Sequence, residues 1–311
     1  MFTITKRRLL SGLAVVAVAG SLAACSSGDP LSGPTETPDD ITALTISSQG
    51  FPESEILAQI YGQVLAANGY TVTYADPIGS RETFIPALKD GSIDLIPDYA
   101  GNLLYGADPA ATATASADVA AALPAALAPL GLTALDLAPG QDADALVVTP
   151  EFAAANNLTT IADLAPIAST LTFGANTEFE GRPYGRTGLD SVYGVTGWKF
   201  KAIDDYGGPG TLSDLLANNI QVADIYTTTP SIKQNNLVVL QDPKNLIAAQ
   251  NIVPLLNSAF ASDQISALLN AVSAKLSTEE LLNLNEESSS DAKPAAADLA
   301  TEWLTSNGFL K

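Results

Sequence analysis

The stretch ALKDGSIDLIPDYAG, residues 87–101, decides the fold that the sequence predicts. A helix that passes through Phe84 ends at Gly91, and the apolar run 93–96 then predicts a buried strand. A polar turn, residues 97–102, follows that strand directly. A short apolar strand between helices is typical of a parallel sheet that helices cover on both faces.

The same alternation of strands and helices continues from this stretch in both directions. Strands are predicted at 43–48, 71–74, 132–137, 144–148, 171–174 and 222–227, and helices at 53–68, 110–130, 159–164, 212–218 and 263–310. We expect the Ala-rich helix to break at Pro124, and the helical tail to pack onto the first half of the chain. The fold class is therefore α/β, with two lobes that each contain a mostly parallel sheet flanked by helices.

The N-terminus carries the pattern of an export signal. A basic triplet precedes an uncharged apolar run, residues 9–24, which is shorter than the about 20 residues of a membrane-spanning helix. The run ends in LAAC at Cys25, which is similar to the lipobox of bacterial lipoproteins, where the cysteine receives a diacylglycerol. We expect a signal peptide over 1–24, a lipid anchor on the cysteine and a flexible linker over 25–40. An ordinary secretory signal with an incidental cysteine is the alternative.

The composition excludes several classes of function. Of 311 residues, 34 are acidic and 14 are basic, and the net charge of −20 works against nucleic-acid binding. The chain contains no histidine, so no mechanism can use an imidazole as base, acid or metal ligand. The single cysteine excludes intramolecular disulfides and thiolate metal clusters. A binding protein or an enzyme that uses carboxylates remains.

Four polar segments are expected to meet at one crevice, because loops at the carboxyl ends of parallel strands lie together. These segments are 47–53, 79–82, 97–102 and 224–229. The first two are helix starts, which suit an anion or a carboxylate or serve only as helix caps. The last two each place a tyrosine past a strand end. Two such rings can enclose a quaternary ammonium, or they lie half-buried at a rim.

Several motifs in the chain, taken in order, match the pattern of one protein family. They are FPE at 51–53, the stretch 87–101, EFEGR at 178–182 and DIYTT at 224–228. With these motifs the chain resembles the substrate-binding proteins of osmoprotectant ABC importers, which take up glycine betaine, choline, carnitine and related solutes. The resemblance extends from Leu44 to the C-terminus.

The resemblance implies a type II periplasmic-binding-protein fold, whose two lobes close on a ligand. The first lobe is expected at 41–146 and the second at 147–240, and residues 241–311 return to the first lobe. The chain should cross between the lobes near 145–148 and again near 237–242. The implied partners are a small-molecule solute and the permease and ATPase subunits of an ABC importer. We expect a lipid-anchored monomer on the outer face of the cell membrane, with no cofactor, metal or nucleic acid.

Candidate ligand-binding residues come from both halves of the chain. Phe51, Tyr99 and Tyr226 match members of the aromatic cage that the family uses. Arg182 is expected either to reach the cleft or to form a structural pair with Glu178. The polar candidates are Ser48, Gln49, Ser80, Arg81, Asp98, Asp144, Arg182, Thr228 and Gln250.

Two candidates depart from the family pattern. Asp144 and Gln250 stand where the family often has aromatic residues, and a carboxylate and an amide suit a ligand with hydroxyl, amine or imidazole donors. The run 204–210 is expected to form a mobile loop and lacks the spacing of a nucleotide site. Asp136, Asp142 and Asp144 lack the spacing of a calcium loop, which favours a solvated rim over a calcium site.

The chain is therefore predicted to be a solute receptor of an ABC importer and not an enzyme. Two alternatives stay open. One is an extracytoplasmic hydrolase that uses paired carboxylates, and the other is a lipoprotein that senses a ligand and signals without transport.

Overall fold

The structure, a computed structural model, describes residues 41–311. The predicted signal peptide, the lipidation of Cys25 and the predicted linker fall on residues 1–40 and lie outside the described residues. Within 41–311, no helix combines the length and the apolar character that a membrane crossing requires.

Strands and helices alternate along the described chain. The strands are β1 (Ala43–Ile46), β2 (Thr71–Tyr74), β3 (Leu95–Tyr99), β4 (Leu132–Ala134), β5 (Leu146–Val148), β6 (Thr172–Ala175), β7 (Lys199–Ala202), β8 (Val222–Asp224), β9 (Val238–Val239) and β10 (Ile252–Asn257). The α-helices are α1 (Pro52–Ala67), α2 (Arg81–Asp90), α3 (Ala100–Ala107), α4 (Ser116–Leu127), α5 (Pro150–Asn156), α6 (Arg186–Tyr193), α7 (Pro209–Leu216), α8 (Ser231–Gln234), α9 (Asp263–Ser273), α10 (Thr278–Ser288) and α11 (Ala296–Ser306). Short 3-10 helices lie at Ala128–Leu130, Ile161–Thr170, Thr177–Gly181 and Ser258–Phe260.

The strands form two five-stranded sheets in the described part of the chain, and both sheets have the same topology. The first has the order β2-β1-β3-β10-β4, and the second has the order β7-β6-β8-β5-β9. In each sheet four strands run in one direction, and the fourth strand in this order, β10 or β5, is antiparallel to both of its neighbours. The predicted α/β fold with two mostly parallel sheets is confirmed, although the sequence pattern did not indicate β7, β9 or β10.

Helices cover both faces of the first sheet. On one face, α1 buries Leu65 in a core that also contains Leu269 of α9 and Trp303 of α11. On the other face, Phe84 of α2 and Leu123 of α4 belong to a second core. Full burial of such a side chain stabilises the fold by about 1.5–3 kcal/mol. The C-terminal helices therefore form part of the core of the first sheet.

The second sheet is covered in the same way. One core contains Phe173 and Trp198, whose ring centroids lie 4.4 Å apart, together with Leu189 of α6. The other face packs against Leu215 of α7 and the buried Ile220. Each sheet thus has a core on both faces, so the strand ends are held in fixed positions.

Two chain segments connect the sheets. Residues 135–145 lead from β4 to β5, and residues 240–251 lead back from β9 to β10. The two segments run side by side, because Gln141 forms an antiparallel bridge to Asn251. Each lies next to a stretch in which the sequence predicts a crossing.

α4 does not break at Pro124, contrary to the prediction. Pro124 lies in the last turn of α4, so its missing N–H removes only one hydrogen bond near the helix end. The chain turns instead at Gly131, whose φ of 69° follows the 3-10 helix Ala128–Leu130.

Candidate ligand site between the lobes

Four aromatic rings meet between the two sheets, and we call them the aromatic cluster: Phe51, Tyr99, Tyr206 and Tyr226. Phe51 lies at its centre, and its ring centroid is 5.9 Å from that of Tyr99 and 5.3 Å from that of Tyr206. The third neighbour, Tyr226, meets the Phe51 ring edge-on at 5.8 Å. The structure therefore brings together the three aromatic residues that the sequence singles out.

Three of these rings stand where a strand gives way to a helix or a turn. Phe51 is the N-cap residue of α1, and Tyr99 ends β3 and is the N-cap residue of α3. Tyr226 lies two residues past the end of β8. Loops at the carboxyl ends of parallel strands border the crevice of an α/β sheet, and here two such edges face each other.

Tyr206 is an aromatic residue that the sequence analysis did not select. It lies in the loop between β7 and α7 with a φ of 56°, and its N–H donates to Asn176 Oδ1 over 2.9 Å. The Asp205 carboxylate accepts hydrogen bonds from the N–H groups of Gly208 and Gly210, which ties this loop to the start of α7. Its position directly before a Gly-rich run was the sequence signal that could have identified Tyr206, because glycine permits the tight turns that bring such a residue to a cleft.

Glu53 joins the two lobes from the first turn of α1, although it is only 3% exposed. Its Oε1 accepts from the Tyr99 hydroxyl over 2.8 Å. Its Oε2 accepts from the Thr228 hydroxyl and from the Asn285 side-chain amide, each over 2.7 Å. Burial raises the pKa of Glu53, and these hydrogen bonds oppose that rise. Glu53 belongs to the FPE motif at 51–53, but it is not among the predicted ligand-binding residues.

Asp142 is a buried partner of this network, and the expectation that it lies on a solvated rim is wrong. Its Oδ1 accepts from the Thr228 N–H over 3.0 Å. Burial and the nearby Glu53 carboxylate raise the pKa of Asp142 well above its usual range. The crossing segment 135–145 thus delivers a second carboxylate to the cleft.

Asp98 holds protein groups in place. Arg81 donates from Nε to Oδ2 over 3.2 Å and from Nη2 to Oδ1 over 2.5 Å, which makes a bidentate ion pair. The Gln49 amide donates to the same Oδ1 over 3.1 Å. Arg81 and Gln49 line the cavity between the lobes, whereas Asp98 is fully buried behind them.

Asp144 and Asp224 face a polar cavity of about 30 Å³ beside the aromatic cluster. Asp144 accepts from the Asn102 amide over 3.1 Å. Asp224 is 7% exposed, and its Oδ1 has no hydrogen-bond partner within residues 41–311. Burial and the adjacent Asp144 carboxylate raise the pKa of Asp224 well above its usual range. Tyr184, which the sequence analysis also did not select, lines the same cavity.

Arg182 lines this polar cavity and reaches across to the first lobe. Its Nη1 donates to Glu82 Oε1 of α2 over 3.3 Å. Of the two roles that the sequence left open, the structure places Arg182 at the cleft and pairs it with Glu82, not with Glu178.

Nine of the twelve predicted site residues line cavities between the lobes: Gln49, Phe51, Ser80, Arg81, Tyr99, Asp144, Arg182, Tyr226 and Thr228. The other three lie elsewhere. Ser48 lines a separate cavity of about 130 Å³ next to α1 and β2. Gln250 is fully buried, and its Oε1 accepts the N–H of Asn102 over 3.1 Å. Asp98, as described, lies behind Arg81.

A larger cavity of about 380 Å³ adjoins the aromatic cluster on the side of α10. Phe51, Tyr206 and Asn285 are among the residues that line it. In the described range 41–311, no group of three acidic or sulfur side chains is placed to hold a metal ion. Asp136 instead accepts from the Asn270 amide over 2.8 Å.

The two sheets and the cleft between them define a class, the two-lobed solute-binding proteins. A profile described as the substrate binding domain of an ABC-type glycine betaine transport system matches residues 42–306. The chain belongs to this family. It is therefore a solute receptor of an ABC importer and not an enzyme, and its family acts outside the cytoplasm.

Several solved structures share this fold. A crystal structure of a glycine betaine/carnitine/choline ABC transporter matches with a TM-score of 0.68 and 23% identity, covering 86% of this chain and 100% of that one. A choline binding protein in complex with choline matches with a TM-score of 0.64 and 13% identity, covering 87% of this chain and 90% of that one. Lactococcal OpuAC, closed on glycine betaine, matches with a TM-score of 0.63 and 12% identity, covering 87% and 100%. At these identities the likeness establishes the fold.

Proposed function

We propose that this receptor captures a small quaternary-ammonium or zwitterionic compatible solute between its lobes and delivers it to an ABC permease and its ATPase. The aromatic cluster around Phe51 is the observation that carries the proposal. An ammonium is attracted to the face of each ring by about 0.5–2 kcal/mol. Rings from both lobes contribute, so such a solute would favour the closed arrangement.

The charges around the cluster support a cationic solute. The carboxylates of Glu53, Asp142, Asp144 and Asp224 line the cavities between the lobes. The two arginines at the cleft are each engaged by a carboxylate of their own, Arg81 by Asp98 and Arg182 by Glu82. Carboxylates close to a cleft draw in cations and repel anions.

Contacts between the lobes support ligand exchange by opening and closing. Thr228 of the second lobe donates to Glu53 of the first, and Arg182 donates to Glu82 across the other side of the cleft. Both contacts must break before a solute can enter or leave. Hinged binding proteins exchange ligands in this way.

The proposal is tested by isothermal titration calorimetry with choline and with dimethylbutanol, its uncharged carbon isostere. We expect choline to bind and the isostere to bind at least about tenfold more weakly, because only a cation is attracted to the ring faces. Equal affinity for the two probes, or no binding of choline, glycine betaine or carnitine, contradicts the proposal.

A matched pair of variants at Tyr226 assigns the effect to the rings. Tyr226→Leu removes the ring and is expected to weaken choline binding about 2- to 30-fold. Tyr226→Phe keeps the ring and is expected to stay close to the wild type. If both variants behave alike, the ring of Tyr226 does not hold the ammonium.

We further propose that the receptor is a monomer anchored to the outer face of the cell membrane by a lipid on Cys25. The lipobox-like LAAC at residues 22–25 supports this proposal. Mass spectrometry of the protein from a membrane fraction should show a mature N-terminal Cys25 that carries diacylglycerol. Cys25→Ser should release the protein from that fraction, and its retention contradicts the anchor.

A further inference from the structure

Two carboxylates from neighbouring strands meet at the polar end of the cleft. Asp224 ends β8, and Asp144 lies two residues before β5. β8 and β5 are antiparallel neighbours, with Asp224 opposite Leu146. The sheet register therefore places the two acids together, although 80 positions separate them in the sequence.

Neither carboxylate forms a salt bridge within residues 41–311. Asp144 accepts one hydrogen bond from the Asn102 amide, and Asp224 Oδ1 accepts none while being buried. Both residues line the same cavity. A buried carboxylate oxygen without a donor is unfavourable, because it has lost water without a replacement.

Arg81 and Arg182 line the same cavity, but their ion pairs are with Asp98 and Glu82. The missing complement of Asp224 is therefore a hydrogen-bond donor, and a cationic donor would also offset the charge of the two acids. A quaternary ammonium has no hydrogen on its nitrogen, so it balances charge but leaves the oxygen lone pairs unpaired. An ammonium that keeps an N–H, or a guanidinium, supplies both. Donors and acceptors matched in this way make short, charge-assisted hydrogen bonds.

We propose that Asp144 and Asp224 form a subsite that accepts hydrogen bonds from a cationic N–H group of the solute. The inference rests on the proposed function, since it places a solute of the proposed class in the same cleft. Within that class it favours a solute whose cationic nitrogen keeps an N–H over one whose nitrogen is quaternary. The natural solute carries at least one N–H donor next to the part that packs on the aromatic cluster. Full methylation of that nitrogen removes the group that the subsite recognises.

The test compares choline with dimethylethanolamine, which differs from it by one methyl group and is a cation with a single N–H at pH 7. Calorimetry is run on the wild type and on Asp224→Asn. We expect Asp224→Asn to weaken dimethylethanolamine binding about 10- to 100-fold. The factor by which it weakens choline binding should be about ten times smaller, because only dimethylethanolamine loses a charge-assisted hydrogen bond. The exposed Asp190 of α6 provides a control, because Asp190→Asn removes the same charge away from the cleft.

Two outcomes overturn the proposal. If Asp224→Asn weakens both probes by the same factor, the carboxylate contributes only its charge. If dimethylethanolamine does not bind to the wild type, the N–H group is not what the subsite accepts. If Asp224→Asn weakens both probes equally while Tyr226→Leu still weakens choline binding, the proposed function stands and only the proposed subsite is wrong.

Thermal unfolding separates a ligand role from a structural role. Without solute, Asp224→Asn should melt at a higher temperature than the wild type, because a buried carboxylate next to another carboxylate is replaced by a neutral amide. A lower melting temperature shows that Asp224 supports the fold and contradicts the proposal. A rise in melting temperature with an unchanged preference between the probes also contradicts it, because the two acids then share a proton and bind nothing.

Discussion

The two lobes share one sheet topology and differ at the carboxyl end of the third parallel strand. β3 ends in Asp98 and Tyr99, and β8 ends in Asp224, with Tyr226 two residues further on. Asp98 is held by a bidentate Arg81, whereas Asp224 has no salt-bridge partner in the described chain. A carboxylate at an equivalent position therefore orients protein groups in one lobe, and in our proposal receives a ligand group in the other.

The difference shows how a repeated architecture can carry two kinds of site. In the first lobe the ion pair fixes Arg81 and, through a hydrogen bond, Gln49 at the cleft wall. In the second lobe Asp224 stands next to Asp144, and neither acid forms a salt bridge in the described chain, although Arg81 and Arg182 line the same cavity. Breaking a buried ion pair is costly, but removing an unpaired buried charge relieves a cost.

The largest effect on the free energy of unfolding is expected when Arg81 is replaced. Arg81→Met should lower the free energy of unfolding by about 3–5 kcal/mol, because it leaves the Asp98 carboxylate buried and unpaired. Urea unfolding of the variant gives this value. Arg81→Met combined with Asp98→Asn should recover most of the loss. If Arg81→Met alone is as stable as the wild type, the ion pair at Asp98 does not stabilise the first lobe, and the contrast with Asp224 is wrong.

The pH dependence of stability sharpens the comparison. Burial raises the pKa of Glu53, and it also raises the pKa of Asp98, where Arg81 opposes the rise. Burial with nearby carboxylates raises the pKa values of Asp142 and Asp224. A carboxyl whose pKa is raised by folding favours the folded state below its unfolded value of about 4, and this contribution is lost as the pH rises through the folded value.

Without solute, the protein should therefore melt at a higher temperature at pH 5 than at pH 8. Differential scanning calorimetry across that range measures the slope. Asp224→Asn should flatten it, whereas the exposed Asp190→Asn should not. A melting temperature that rises with pH contradicts the assignment of these buried acids.

The contact between Glu53 and Thr228 predicts a smaller effect. Thr228→Val removes one of the donors to the Glu53 carboxylate and should destabilise the closed arrangement by about 1–3 kcal/mol. Small-angle X-ray scattering without solute should show a larger radius of gyration for the variant. Thr228→Ser, which keeps the hydroxyl, is the control. An unchanged radius in Thr228→Val indicates that this bond does not hold the lobes together.

The smallest effect is expected at the ion pair between Arg182 and Glu82. The Glu82 side chain is 62% exposed, so solvent screens the pair and Glu82→Gln should cost less than about 1 kcal/mol. Urea unfolding at low and high salt measures this loss. A loss as large as that of Arg81→Met shows that the exposed pair is more than a rim contact.

Much of the fold and part of the site follow from local sequence signals. The strand at β3 and the positions of Tyr99 and Tyr226 follow from apolar runs bounded by turns, together with the rule that crevices lie at strand ends. These signals are local, so a single sequence reveals them. The strands β7, β9 and β10 were not predicted. β9 falls in the stretch 237–242, which was interpreted as a crossing between the lobes, and β10 follows a loop that was interpreted as part of the site.

The rest of the site depends on distant parts of the chain meeting. Asp224 lies beside Asp144 only because β8 pairs with β5, and Tyr206 reaches Phe51 only through a loop with a positive φ. No local pattern encodes either meeting. Ser48 was selected by its place in a motif, but it lines a cavity on the other side of the strand end.

A crystal structure of the protein with a bound solute tests the central claim most directly. Co-crystallisation with dimethylethanolamine and with choline places the ligand nitrogen. The account predicts that the nitrogen lies within about 6 Å of the ring centroids of Phe51 and Tyr226. For dimethylethanolamine, it also predicts an N–H donated to Asp144 or Asp224. A nitrogen bound outside the space between the lobes, away from these rings and carboxylates, contradicts the account.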